Sequence, residues 1–181
     1  MTIGERFRRW RATKGYGVHS PLAFRLLGNV VKPQRNVMYY GEERLIHEFD
    51  SDPDLRRARL LLRLVAELQP SYVWKAPGLP DIYDRAVGYG GGAVRIYDGK
   101  IFPVEIRNSD LVVLHGKTPK AADIKKMMVP GKTVIGFGLK PGAVSRILAA
   151  LDGGPALDGV ESFIAVNRAG EEAPVYQISK F

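Results

Sequence analysis

Apolar positions first fall into a helical rhythm at residues 20–31, where Leu22, Ala23, Leu26, Leu27, Val30 and Val31 lie on one predicted core-facing side. Ser20 ahead of them offers a side-chain oxygen to free N–H groups, and Pro21 needs no N–H partner in a first turn, so a helix is expected to start there. A loop over KPQRNVMYYG and a short helix over EERLIHEF follow, the latter bringing Leu45, Ile46 and Phe49 together. The start signal recurs at SDPDLRRARLLLRLVAELQP: Asp52 is the expected cap, Pro53 lies in the first turn, and Leu55, Ala58, Leu61, Leu62, Val65 and Leu68 line one side. Arg56, Arg59 and Arg63 share the opposite side, which reads as a solvated stripe.

Beyond Pro70 the rhythm changes to short apolar runs alternating with helices. Strands are predicted at YVWKA, AVRIY, DLVVLH and KTVIGFG, the last two without polar alternation, as expected where helices cover both faces of a sheet. Between and after them, PDIYDRAV, TPKAADIKKMM (capped by Thr118, with Pro119 in its first turn) and PGAVSRILAAL read as helices. In the last of these, Val144, Ile147, Leu148 and Leu151 form the stripe and Gly153, Gly154 and Pro155 the stop. GYGGG at 88–92 reads as a flexible connection, and VESFIAVNR and APVYQISKF as two strands joined by AGEE in an antiparallel hairpin. The pattern therefore predicts an α/β protein: a Rossmann-like three-layer sandwich whose mostly parallel sheet ends in an antiparallel C-terminal hairpin. Residues 1–51 form a basic helical N-terminal extension, and residues 52–181 the α/β domain.

Composition narrows the chemistry. With 181 residues, 45% hydrophobic, the chain can bury one substantial core, and with no cysteine it can form neither disulfides nor thiolate metal sites. The start, MTIGERFRRWRATKGYG, lacks the apolar centre of a signal peptide and no later run has the length of a membrane span, so a cytoplasmic protein is expected. Of the net charge of +8, residues 1–35 carry +7, eight Lys or Arg against Glu5, which leaves +1 for the rest. A polyanionic partner, nucleic acid, an acidic protein or an anionic membrane surface, would therefore be met by Arg6, Arg8, Arg9, Arg11 and Lys14; a basic surface that aids solubility is the alternative.

The run KGYGVHSPLAFRLLGNVV resembles the N-terminal signature of a group of class I S-adenosylmethionine-dependent methyltransferase-like proteins of Bacteroidetes, in which Gly-Val-His-Ser-Pro and an aromatic-containing helix precede the catalytic domain. The later order of elements is similar to that family over nearly the whole chain. The resemblance implies an S-adenosylmethionine crevice at the strand ends, near Ala76, Gly78, Asp98, His115 and Gly138. Asp98 stands where the family places an acid that accepts hydrogen bonds from ribose hydroxyls. Equally, AVRIYDGKIFPVEI reads as a hairpin in which Asp98–Gly99 forms the turn.

The family's first strand runs into a glycine-rich turn whose backbone approaches the cofactor, whereas KAPGLP here brings two prolines without N–H donors and the bulk of Leu79. His115 stands near the position of a metal-binding Asp in metal-dependent relatives, and Gly136, Phe137 and Gly138 replace their further ligands, so no metal is expected. His115 reads as a polar residue at the sheet rim or as a general base with no visible partner, and catalytic residues are not assigned. In GFGLKPG the glycines could admit an anion beside Lys140, a weak signal, and His19 reads as fixing a helix entry by a hydrogen bond. The expected function is that of a divergent methyltransferase-like protein with weak or absent methyl transfer; the alternative is a non-catalytic module acting through its basic arm.

Overall fold

A computed structural model describes residues 2–15, 17–33, 40–91, 95–98, 109–116, 120–159 and 162–178. The chain opens with α1 (Ile3–Thr13), started by a capping box in which the Thr2 hydroxyl accepts from the Glu5 N–H and the Glu5 carboxylate accepts from the Thr2 N–H. Next comes α2 (Pro21–Leu26), entered as expected: Ser20 Oγ accepts from the Ala23 N–H at 3.3 Å, with Pro21 in the first turn. It runs directly into a π-helical turn, Leu27–Val31. Helices α3 (Tyr40–Glu48) and α4 (Leu55–Leu68) follow, and Gln69 closes α4 in the left-handed conformation ahead of Pro70.

The α4 start departs from expectation. Asp52 accepts from the Asp54 N–H at 2.7 Å, an Asx-type turn that delays the helix, and Asp54 takes the cap position without a side-chain cap bond. The arginine stripe is also corrected. Arg59 Nε donates to Glu42 Oε1 at 2.6 Å and Arg63 grips both Glu42 oxygens, so α3 fastens to α4 through a buried carboxylate.

Strands β1 (Tyr72–Lys75), β2 (Arg95–Asp98), β3 (Leu111–His115), β4 (Thr133–Phe137), β5 (Ala156–Asp158), β6 (Ser162–Val166) and β7 (Val175–Gln177) form one sheet in the order β2-β1-β3-β4-β6-β5-β7. Pairs β1–β2, β1–β3, β3–β4 and β5–β7 are parallel; β6 runs antiparallel to both β4 and β5. The hairpin expected between 160–168 and 173–181 is therefore replaced by one between β5 and β6, and β7 crosses to the far edge of β5. Its cause is ALD at 156–158, a strand too short to show alternation, which takes the place beside β6. The turn expected at Asp98–Gly99 runs outside the described residues, and the helix expected to be capped by Thr118 with Pro119 in its first turn starts later, at Ala121, with Lys120 in the cap position and no side-chain cap bond.

Helix α5 (Asp81–Gly91) connects β1 to β2, α6 (Ala121–Met127) connects β3 to β4, and α7 (Pro141–Leu148) follows β4. Alternate strand residues divide the core in two. Val73, Leu111, Val113, Ile135 and Phe137 pack against α4, α5 and the π-helical turn, while Trp74, Val112, Leu114 and Val134 pack against α6 and α7. Each fully buried large side chain contributes roughly 1.5–3 kcal/mol, and this double coverage explains the lack of alternation in β3 and β4. Residues 88–91, expected as a flexible connection, are the last turn of α5. Among the described residues no helix is long and apolar enough to cross a membrane.

Candidate functional site

From β1 the chain moves to β2 on one side and later to β3 on the other, so the parallel part of the sheet has its switch point between β1 and β3. Crevices at the carboxyl ends of strands form at such points because the two connections leave in opposite directions. All five residues expected at the site, Ala76, Gly78, Asp98, His115 and Gly138, lie at this end. Asp98 closes β2 in register with Lys75 of β1, and His115 closes β3 in register with Phe137 of β4. The Ala76 N–H donates to the Val113 carbonyl at 2.9 Å, joining the ends of β1 and β3.

Three glycines follow these strands with positive φ: Gly78 at 81°, Gly116 at 62° and Gly138 at 61°. At each, a Cβ would meet nothing within 4 Å, so the strand ends open onto free space. Leu79, expected to crowd the turn, is 7% exposed and packs into the core beside α4 and α5. Pro77 and Pro80 are exposed. A buried Leu79 anchors the turn from below and leaves its outer side to Gly78.

Three residues outside the expected site, Asp54, Arg57 and Tyr83, converge behind it next to His115. Asp54, freed from capping α4, accepts from Arg57 Nη1 at 2.7 Å and from the Tyr83 hydroxyl at 3.1 Å. His115 Nε2 lies 3.8 Å from the same carboxylate oxygen, too far for a direct hydrogen bond and close enough for attraction when the imidazole is protonated. The Tyr83 ring is 5.7 Å from His115 and 5.6 Å from Phe137, centre to centre. Burial first, and then the Asp54 charge, push the Tyr83 phenol well above its ordinary range, so it remains a donor. Arg57 and Tyr83 thus hold Asp54 as an acceptor beside a partly exposed histidine.

On the same side, Lys75 Nζ donates to Asp84 Oδ2 at 2.7 Å, with the lysine buried at the end of β1. Asp84 Oδ1 is buried without a hydrogen-bond partner, an arrangement that costs free energy unless a donor arrives. The strand ends of β1 and β3 therefore offer backbone without Cβ and a partly exposed histidine with a carboxylate behind it. Among the described residues no group of three or more His, Asp or Glu is placed to hold a metal ion. At the entry of α2, Tyr176 Oη accepts from the main-chain N–H groups of His19 and Ser20 at 3.3 and 3.1 Å, so the expected fixing bond runs through the backbone of His19.

The signal for Asp54 was its place in the first turn before a long helix; for Tyr83 and Asp84, it was the acidic, aromatic start of the helix after β1. Neither position says which strand end it will face. Comparison with protein-family models, with curated proteins and with solved structures finds no match.

Proposed function

We propose that the chain is a divergent methyltransferase-like protein that uses the β1–β3 crevice to bind an adenosyl ligand of the S-adenosylmethionine type, with methyl transfer weak or absent. The observation that carries this reading is the glycine-floored opening at the switch point. Gly78, Gly116 and Gly138 present backbone without Cβ where a ligand's ribose and amino-acid portions would need close approach. The residues fit such a group. Asp98, level with Lys75, is the acid that would meet the ribose hydroxyls.

When bound, S-adenosylmethionine supplies an electrophilic methyl on sulfur. The chain's own part is to orient that ligand and to offer His115 as a proton acceptor, with the Asp54 carboxylate 3.8 Å behind it. Weak transfer follows from the 3.8 Å gap between the two, which leaves the imidazole without the hydrogen bond that would fix its tautomer. Two prolines in the turn also remove donors that could order a ligand.

Isothermal titration with S-adenosylmethionine and, separately, S-adenosylhomocysteine tests the reading. Saturable heat is expected for both, reduced at least about tenfold in affinity by Asp98→Asn. Absence of heat at millimolar ligand ends the proposal.

A further inference from the structure

Helix α1 turns its apolar side away from the protein. Ile3 is 87% exposed, Phe7 56% and Trp10 46%. At about 100° per residue these three fall within an arc of about 60°. The opposite side faces inward: Thr13 is buried, Ala12 packs on the core, and Arg9 Nη1 donates to the carbonyls of Asp158 and Ile178 at 3.1 and 3.0 Å. Arg9 is thereby removed from the set of arm cations expected to meet a partner. Phe7 and Trp10 stack at 5.8 Å, and Lys14 sits over the Trp10 ring at 5.6 Å, which extends the ridge with a cation. Arg6 stands exposed about 40° from Trp10 around the helix, and Arg8 is exposed farther round, beyond Phe7. At the carboxyl end of α1, exposed Phe24 lies against Gly15 and borders a 300 Å³ cavity that Lys14 and Lys32 also line.

From this arrangement we infer that α1 is an interfacial anchor that lays Ile3, Phe7 and Trp10 into the headgroup boundary of an anionic lipid bilayer. An amphipathic helix with aromatic and aliphatic side chains on one side and cations around them binds there by apolar burial and by attraction to acidic lipids together. The charge is complementary, since residues 1–35 hold +7 of the chain's +8. That same charge opposes covering the ridge with a second copy of the chain. Nucleic acid fits less well, because a phosphate backbone calls for cations at the centre of the face, and here the centre is hydrocarbon with an aliphatic residue as its most exposed member.

The test is co-sedimentation of the full chain with vesicles of phosphatidylcholine and phosphatidylserine, against vesicles of phosphatidylcholine alone and a single-stranded oligonucleotide at equal salt. Trp10 is a built-in reporter, because the other tryptophan, Trp74, is fully buried. Retention on the mixed vesicles with a blue-shifted Trp10 emission is expected, together with weak retention on phosphatidylcholine. Ile3→Ser with Phe7→Ser should lower the affinity at least about tenfold, and Arg6→Gln with Arg8→Gln roughly fivefold per cation. Both pairs alter exposed side chains, and circular dichroism reports whether α1 persists; if the serine pair unwinds it, the glutamine pair carries the test. Failure to sediment with mixed vesicles, an unshifted emission, or retention indifferent to both pairs overturns the inference. Binding to the oligonucleotide without binding to vesicles overturns it too, and passes the face to nucleic acid.

Discussion

Glu42 shows how much one buried carboxylate can organise. Burial opposes its ionisation, yet the hydrogen bonds from Arg63 and Arg59 outweigh that and hold its pKa below the ordinary 4.5. Glu42→Gln removes the charge and leaves two arginines facing a neutral amide, one of them largely buried. A loss of about 2–3 kcal/mol is expected at neutral pH, below the full cost of breaking a buried pair because Arg59 reaches solvent. The sign of the pH dependence follows from the depressed pKa: the stabilisation is complete above pH 4.5 and disappears as pH falls through the lower, folded-state value. Urea unfolding of both proteins at neutral and at strongly acid pH should show the difference shrinking in acid; a constant difference would mean that packing, not charge, is lost. The spacing of Arg59 and Arg63 was plain from helical periodicity, but their partner belongs to another helix, and periodicity assigns faces without saying what meets them. The same holds for His115, legible as a strand-end residue, and Asp54, legible as a helix-start acid, whose meeting is a product of tertiary packing.

At the scale of elements, the last turn of α5 makes two identical substitutions opposite in effect. Gly90 has no room for a Cβ, which would fall 2.6 Å from the Leu62 carbonyl oxygen and 3.0 Å from Val65 Cβ of α4. Gly88 is exposed, and a Cβ there meets nothing within 4 Å. Gly88→Ala should stabilise by up to about 1 kcal/mol, because alanine loses less backbone entropy in a helix. Gly90→Ala should instead destabilise by about 2 kcal/mol or more, since the backbones of α4 and α5 must separate to admit a methyl group. Midpoints of chemical unfolding for the two variants on either side of the parent would verify this, whereas a shared direction would mean that α4 and α5 part at no cost. In the sequence the glycine cluster signalled flexibility, the commoner meaning of such runs. Close approach of helices uses the same residue for the opposite purpose, here again at Gly41, whose Cβ would lie 2.5 Å from Tyr89 Cβ. Elements with long stripes or unbroken apolar runs (α2, α4, β1, β3 and β4) were readable because burial imposes a period on them. The three-residue β5 has too few positions to carry one, and with it went the true pairing of β6 and β7.

For the molecule as a whole, the position of α1 decides whether its outward ridge is a fixed surface or a loose tail. Two anchors tie the N-terminal segment to the far edge of the sheet: Arg9 bridges carbonyls of Asp158, at the end of β5, and Ile178, just beyond β7, and Tyr176 of β7 accepts from the backbone at the entry of α2. Helix α1 by itself, eleven residues long, is too short to be stable in water and depends on such contacts. Arg9→Met keeps much of the aliphatic stem and removes both charge-assisted bonds, each worth roughly 1.5–3 kcal/mol. Amide hydrogen exchange should then quicken by about a hundredfold or more along residues 3–13 while protection in β1, β3 and β4 stays unchanged, since local opening of an edge helix leaves the core intact. Equal loss of protection throughout would make α1 part of the global unfolding unit, and no change at all would mean that Thr13 and Ala12 hold the helix without the arginine. The first outcome would also separate the helix from the strand ends it neighbours: Asp158 and Ile178 lie at the same end of the sheet as the carboxyl ends of β3 and β4, so α1 would open locally while those strands keep their pairing.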